Sequence, residues 1–410
     1  MIANLLSHCS NQFEIYSPEK EKFRVEIHDS IIGLEAYWND LFRLQYPLEV
    51  GSALAAAEQA NLKDITFKYA MVFKGNELMG LLHFQLLLVS KKHYPDFSEL
   101  SAAACNLYKI FSGRKYLGLV SGHLFITDFP TFAYTHQLNQ GFWIKEKIVS
   151  RLARQLDVDI VLLKDLHSEE NSYWQHQKKF AMLPDDLFME MSIPDQWSNL
   201  SDYVKALSKK YSARIRKMTE EPLSVQQQEL SLALVEKHQQ ELEELYQQVV
   251  DRSSVKMGVL NKGYFLKMAR NLGDNFKIYG YFEKGKLQAF SSFLQTGIQL
   301  ELYYIGLNYQ YNQHKELYPM MMVHGLTRAI EHGFTQFRLG RTALEAKAIL
   351  GCRPRNIINL VYFRNRWLRY MMNYLLKLTA LERGESWKLR NPFREATQLS
   401  GVNNEIKMKQ

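Results

Sequence analysis

The segment LELYYIGLNYQYNQHKELYPMMMVHGLTRAIEHGFTQFRLGRTALEAKAILGCRPRNIINLVYF, residues 300–363, carries in order the marks of a strand, a helix, a strand, a Gly-bounded turn and a further strand. Leu300, Leu302, Tyr304 and Gly306 alternate with Glu301, Tyr303 and Ile305, while Leu317, Met320, Met321 and His324 repeat at helical spacing up to Gly333. The helix is therefore expected to end near His332. From Thr335 to Gly340 the period of two returns, with Phe337 and Leu339 on one face and Arg338 on the other, ahead of GRTALEAKAILGCRP at 340–354. A strand leading through a helix into a second strand implies a right-handed crossover.

Outward from this unit, the chain repeats itself. Phe67 to Phe73 and Leu78 to Val89 read as two strands joined at Lys74-Gly75-Asn76-Glu77, and FKGNELMG has a counterpart of equal length in FEKGKLQA, at 282–289. After each hairpin come a strand, a long helix (138–156 and 316–332) and another strand (158–163 and 335–340), which points to duplication. The first half opens with a strand at Phe23 to Ile27 and a helix over 31–44, carries an irregular insertion at 90–118 and a strand from Val120 to Asp128, and ends at Asp185 to Ile193. Between the halves, Ser201 to Thr219 is expected to be one basic helix bearing Lys205, Lys209, Lys210, Arg214, Arg216 and Lys217, and Leu230 to Val250 one amphipathic helix. A last helix, Trp367 to Leu381, starts among Arg364, Arg366 and Arg369, and the chain beyond Arg383 is expected to fray. The domains are placed at 1–195 and 196–385, with a polar tail at 386–410.

Composition narrows the function. The chain has 410 residues, 46% hydrophobic and 23% charged, an ordinary soluble globular balance. The start lacks the basic and apolar blocks of a secretory signal, and the apolar run Leu78 to Val89 is too short to span a bilayer, so a cytoplasmic location is expected. Cys9, Cys105 and Cys352 lie too far apart for a CxxC pair, which disfavours a disulfide framework and a thiolate metal site. Twelve histidines show no ligand spacing, and no metal is expected. The motifs HExxH, GxxxxGK[ST], GxSxG and GxGxxG are all missing from the sequence, so zinc hydrolysis, P-loop phosphate transfer, the hydrolase elbow and a dinucleotide fingerprint lose support. A net charge of +8 favours an anionic partner, whether nucleic acid, a phosphorylated cofactor or a membrane surface.

Three stretches carry a family resemblance: LSKKYSARIRK in the basic segment, EHGFTQFRLGRT at the helix-Gly-strand-Gly step, and EAKAILG. The C-terminal half resembles the GNAT acyltransferase superfamily, and the whole chain resembles its tandem, Fem-like members associated with peptidoglycan biosynthesis. The resemblance implies an α/β (α+β) fold of two tandem GNAT-like domains, each a mixed, mostly antiparallel sheet flanked by helices. It further implies an N-acyltransferase that moves an acyl or aminoacyl group from an acyl-CoA donor or aminoacyl-tRNA to an amine acceptor, such as a cell-envelope precursor. The strand-to-helix turn LNYQYNQHKELYP departs from the pattern, having no Gly-rich pyrophosphate loop. The alternative is a noncatalytic basic protein that binds nucleic acid or an anionic membrane surface through 205–217 and the C-terminal helix.

Amine attack on a thioester or ester needs a cation or hydrogen-bond donor over the developing oxyanion and a proton acceptor. Lys347 matches the family's lysine near the transfer centre; its bland reading is a solvated lysine on a short helix. Arg341 is placed to bind phosphate or carboxylate, or else to pair with Glu345 at i+4. His314 and Glu316 are proton-acceptor candidates that are also ordinary surface residues. Tyr304 to Asn308 would offer backbone amides to a donor, with Tyr318 at the start of the following helix. Lys209, Lys210 and Arg214 form an anion site or a solvated helix face, and Cys352 reads as a packed thiol.

Overall fold

Both expected hairpins form, and they match in detail. In the computed structural model, which describes residues 12–43, 46–62, 64–90, 113–136, 138, 141–177, 179–183, 186–220, 225–252, 259–312, 317–372, 374 and 388–394, the first half contributes nine strands. These are β1 (Gln12–Tyr16), β2 (Lys22–His28), β3 (Ile65–Lys74), β4 (Glu77–Val89), β5 (Tyr116–Ser121), β6 (Phe132–Tyr134), β7 (Ile160–Leu166), β8 (Ala181–Met182) and β9 (Asp186–Ser192). The second half supplies β10 (Gln226–Glu229), β11 (Phe276–Glu283), β12 (Lys286–Thr296), β13 (Gln299–Leu307), β14 (Gln336–Gly340) and β15 (Arg353–Phe363). In β3/β4 the register slips between Val72 and Phe73; in β11/β12 it slips between Tyr281 and Phe282, the equivalent position. Each connection is a two-residue turn. Gly75 alone takes positive φ in the first, whereas Lys284 and Gly285 both do in the second, as II′-like and I′-like hairpins require.

Each hairpin is followed by a strand, a helix and a parallel strand: β5, Phe142–Gln155 and β7 in one half; β13, Leu317–Glu331 and β14 in the other. All other strand pairs are antiparallel among the described residues. The closing strands are exchanged. β15, from the end of the second half, inserts between β7 and β9, and β9, from the end of the first, pairs with β14. One sheet therefore runs β1-β2-β3-β4-β5-β7-β15-β9-β14-β13-β12-β11-β10. The apolar runs of β7 and β15 suit this central place, because both faces are covered: Leu163 and Leu360 on one side, Ile160, Val361 and Phe363 on the other.

The halves also share a core. Trp38, Tyr69, Phe125 and Phe129 of the first pack in one cluster with Leu245, Phe265 and Phe290 of the second. The helices Val50–Gln59 and Tyr264–Leu272 meet there. The first is not evident in sequence, because VGSALAAAEQ buries small residues nearly all round, leaving little polar contrast to give a helical period. Its closeness to the preceding helix needs glycine, since a Cβ on Gly51 would lie 2.3 Å from the Glu35 carbonyl oxygen.

Several expected elements are divided or shortened. The basic segment 201–219 is two helices, Leu200–Ala206 and Lys209–Glu220, because Leu207 is extended and bridges to Phe393. At His238 the 230–250 segment likewise breaks, into Leu232–Lys237 and Gln239–Asp251. The strand expected to reach Asp128 ends at Ser121, and residues 122–131 leave the sheet. Within the polar tail, 388–394 is docked rather than frayed: Ser208 N–H donates to Pro392 O at 2.8 Å, Arg394 N–H to Ala206 O at 3.0 Å, and Phe393 packs on Trp197 and Tyr203. His314, Glu316, Cys9, Cys105, and most of the 90–118 insertion and of the C-terminal helix beyond Met372 lie outside the described residues.

Candidate active site

The parallel ladder between β13 and β14 is short, joining only Gln299–Glu301 to Gln336–Arg338. Beyond it β13 continues against β12 to Leu307 while β14 leans on β9, so the strands part at Glu301. A bulge accompanies the parting: Ser291 pairs with Ile305 and Phe293 with Leu302, leaving Tyr303 and Tyr304 opposite Ser292. The Ser292 hydroxyl satisfies both sides of that bulge, accepting from Tyr304 N–H at 3.0 Å and donating to Tyr304 O at 2.7 Å. Asn308 N–H donates to Gln288 O at 2.9 Å. The amides of Tyr304 and Asn308, expected to face a donor, are thus engaged within the fold.

Glu301 is the last rung of the ladder, beside Arg338 and on its face. Its side chain is 7% exposed, and burial raises its carboxyl to about 7 despite the lowering effect of Arg338. Arg338, 2% exposed, donates to Gln299 Oε1 and Asp128 Oδ2, both at 3.1 Å, and stacks over Phe188. Asp128 belongs to the other half and also accepts from Arg355 at 3.0 Å, while Arg355 reaches Glu190 at 3.5 Å. Charges of alternating sign therefore cross β13, β14, β9 and β15, sealed by a carboxylate from the segment 122–131.

A second knot lies at the carboxyl ends of β7 and β14. Arg341 donates to Asp165 Oδ1 at 2.9 Å, so its partner comes from the other half of the chain and is not Glu345, which is held by Arg390. Asp165 also accepts from Lys164 and, at 2.7 Å, from Asp128 N–H. Burial alone would raise the Asp165 carboxyl; Lys164 and Arg341 outweigh it and hold the group below its ordinary value. Asp128 and Asp165 both sit at positive φ, 58° and 56°, a conformation that aspartate tolerates better than most side chains.

Lys347 is not solvated. The helix Leu344–Leu350 packs on β9 and on Leu317–Glu331, and it leaves Lys347 2% exposed. Burial lowers its ammonium to about 8, and the nearby Cys352 and Glu301 oppose that shift. Cys352 is buried as expected and its thiol is raised to about 12 by burial, with Lys347 pulling the other way. Tyr318 is raised by burial and feels Cys352 and Tyr309. Two backbone features fix this helix. Ala343 precedes it at φ 53°, a strained state for alanine, and Gly351 ends it at φ 99° where a Cβ would meet the Phe393 ring at 2.4 Å. Lys209, Lys210 and Arg214 are exposed on Lys209–Glu220, which leans on Leu317–Glu331, and they form no ion pair among the described residues.

No protein-family model and no curated protein matches the sequence. Among solved structures, FemX is similar over 85% of this chain and 100% of its own, at 10% identity and a TM-score of 0.54. The fold is like that of FemX. Weaker likenesses of this Fem-like fold include a tandem GNAT protein from the clavulanic acid biosynthesis pathway (10% identity, 86% of this chain and 98% of that one, TM-score 0.46). L-PGS from Bacillus licheniformis is another (12% identity, 85% and 97%, TM-score 0.47).

Of the residues singled out in the sequence, Lys347 lies buried and feels the charges of Cys352 and Glu301, Tyr318 feels Cys352, and Arg341 pairs with Asp165. Glu301, Arg338, Asp128 and Asp165 were not among them. A carboxylate in the apolar alternation of β13 and an arginine in that of β14 were the available signals, since buried charges need a reason. Asp128 and Asp165 gave none, because their partners lie about 200 residues away in sequence.

Proposed function

We propose that the chain is an N-acyltransferase that carries an acyl or aminoacyl group from a CoA thioester or an aminoacyl-tRNA ester to an amine. The observation that supports this most directly is the burial of two ionisable groups, the carboxylate of Glu301 where β13 and β14 separate and the ammonium of Lys347, which feels the charge of Glu301. Parted parallel strands open a slot in a sheet, and ligands of α/β folds collect at such strand ends. In this reading Glu301 takes a proton from the acceptor ammonium, and the freed amine attacks the carbonyl. The C–N bond forms, the C–S or C–O bond breaks, and the leaving thiolate or ribose oxygen is reprotonated. Lys347 faces the oxyanion of the tetrahedral intermediate; with its ammonium near 8 it is mostly charged at neutral pH. The neutral Cys352 thiol behind it is packing, not a nucleophile.

The exposed cations Lys209, Lys210 and Arg214 would meet the phosphates of either donor. The test is a thermal-shift screen of acyl-CoAs and aminoacyl-tRNAs, followed by a transfer assay with candidate amines. A donor at one hundred times its Kd stabilises the fold by about 2.7 kcal/mol. If no thioester or aminoacyl ester shifts the melting temperature or loses its acyl group, the assignment fails.

A further inference from the structure

Beyond any transfer activity, the outer face of the helix over 366–372, extended by Tyr374, is built unlike the rest of the surface. Asn365 Oδ1 caps its start, accepting from Trp367 N–H at 2.9 Å and Leu368 N–H at 3.1 Å. The inner stripe of Leu368, Met371 and Met372 packs beneath β7 and β15 against Ile160, Val361 and Phe363. The opposite stripe, Trp367, Tyr370 and Tyr374 at i, i+3 and i+7, is 84%, 76% and 47% exposed. A packed inner face means this is no frayed end; three large aromatics are held outward by a fixed helix.

The charge around them is one-sided. Asp157 and Asp159, at the start of β7, are both taken by Arg364. Arg366 on the helix, and Arg114 and Lys115 at the start of β5, are exposed and form no ion pair among the described residues. The start of β5 belongs to the same end of the sheet, since Tyr116 packs in the cluster that holds Leu368.

We infer that this face docks on an anionic lipid surface. Tyrosine and tryptophan favour the headgroup region, where an apolar body and a polar tip are both accommodated, and unneutralised arginine and lysine beside them supply the attraction to negative headgroups. A nucleic acid would be drawn by the same cations, but a continuous aromatic stripe along a rigid helix fits a plane. The face lies at the amino end of β7, about 17 Å along that strand from Asp165. Docking there leaves the domain junction facing solution, so this inference stands apart from the transferase reading.

The experiment is co-sedimentation of the full chain with vesicles of phosphatidylcholine alone and of phosphatidylcholine with 30% phosphatidylglycerol. Binding is expected to the second only, to weaken with salt, and to fall at least tenfold in Trp367→Ala/Tyr370→Ala/Tyr374→Ala, whose melting temperature and circular dichroism stay those of wild type. Failure of the wild type to bind the anionic vesicles overturns the inference, as does binding that the triple variant retains. So does a dimer in light scattering that the variant disperses while neither protein binds vesicles, which would make the stripe a contact between copies. A Trp367→Phe variant that keeps most of the binding would guard against a folding artefact.

Discussion

Lys347→Met is the most informative substitution, because the structure fixes both its sign and its size. A buried ammonium held near 8 instead of 10.5 pays for its charge in every folded molecule below pH 8. The shift of about 2.5 units is worth about 3 kcal/mol at 1.36 kcal/mol per unit. From pH 8 to 10.5 the unfolded chain keeps a proton that the folded chain has lost, so wild-type stability climbs with pH over that window. Methionine retains the apolar stem and removes the charge. The variant should therefore be more stable than wild type by up to about 3 kcal/mol at pH 7, with the advantage fading as pH approaches 10.5, read by urea denaturation at both ends. Transfer should fall by about 100-fold or more, as when one oxyanion donor is removed. A variant equally or less stable at pH 7 shows that the ammonium is well satisfied in place, and turnover within a few-fold of wild type shows that it is scaffolding; either result refutes this reasoning.

Glu301 should behave in the mirror sense. Its native carboxyl keeps a proton up to about 7 where the unfolded one loses it near 4.5, so its contribution to stability is lost as pH rises through that window. Glu301→Gln is expected to gain stability over wild type at pH 8 but not at pH 4, and wild-type turnover to rise with pH through about 7, a limb missing from a much slower variant; an unchanged pH profile would clear Glu301 of the proton transfer. Asp128→Ala strips Arg338 of its only carboxylate hydrogen-bond partner among the described residues and should cost about 3–5 kcal/mol in chemical denaturation. Replacing Lys209, Lys210 and Arg214 with alanine should weaken donor binding several-fold and barely move the melting temperature, because exposed charges contribute little to stability; unchanged titrations would return the cluster to a solvated surface.

The repeat was legible because its signals are local: two-residue turns after Lys74 and Glu283, period-two strands, and a glycine at 333 closing a helix. Fold class followed from their order. What escaped was set by distance along the chain. Leu207 has no breaker beside it, and its helix stops because Phe393 pairs with it. Arg341 has a carboxylate four residues on, yet Asp165 takes it across the junction. The same holds for Lys347, whose helix is covered by β9 and by Leu317–Glu331. Local pattern gives elements and their sequence; ionic pairing between halves is decided only after the halves meet.

The exchange of closing strands has a consequence for biosynthesis. Phe363 pairs with Ile160 roughly 200 residues earlier, so the first half cannot complete its sheet when it leaves the ribosome. At about 5–20 residues per second, the open edge of β7 waits some ten to forty seconds for β15. Such a long-range pairing is slow to form and exposes an apolar strand edge meanwhile. The N-terminal half made alone would remain in that unfinished state, prone to aggregate, whereas the two halves expressed as separate chains should rescue one another by supplying the missing strands.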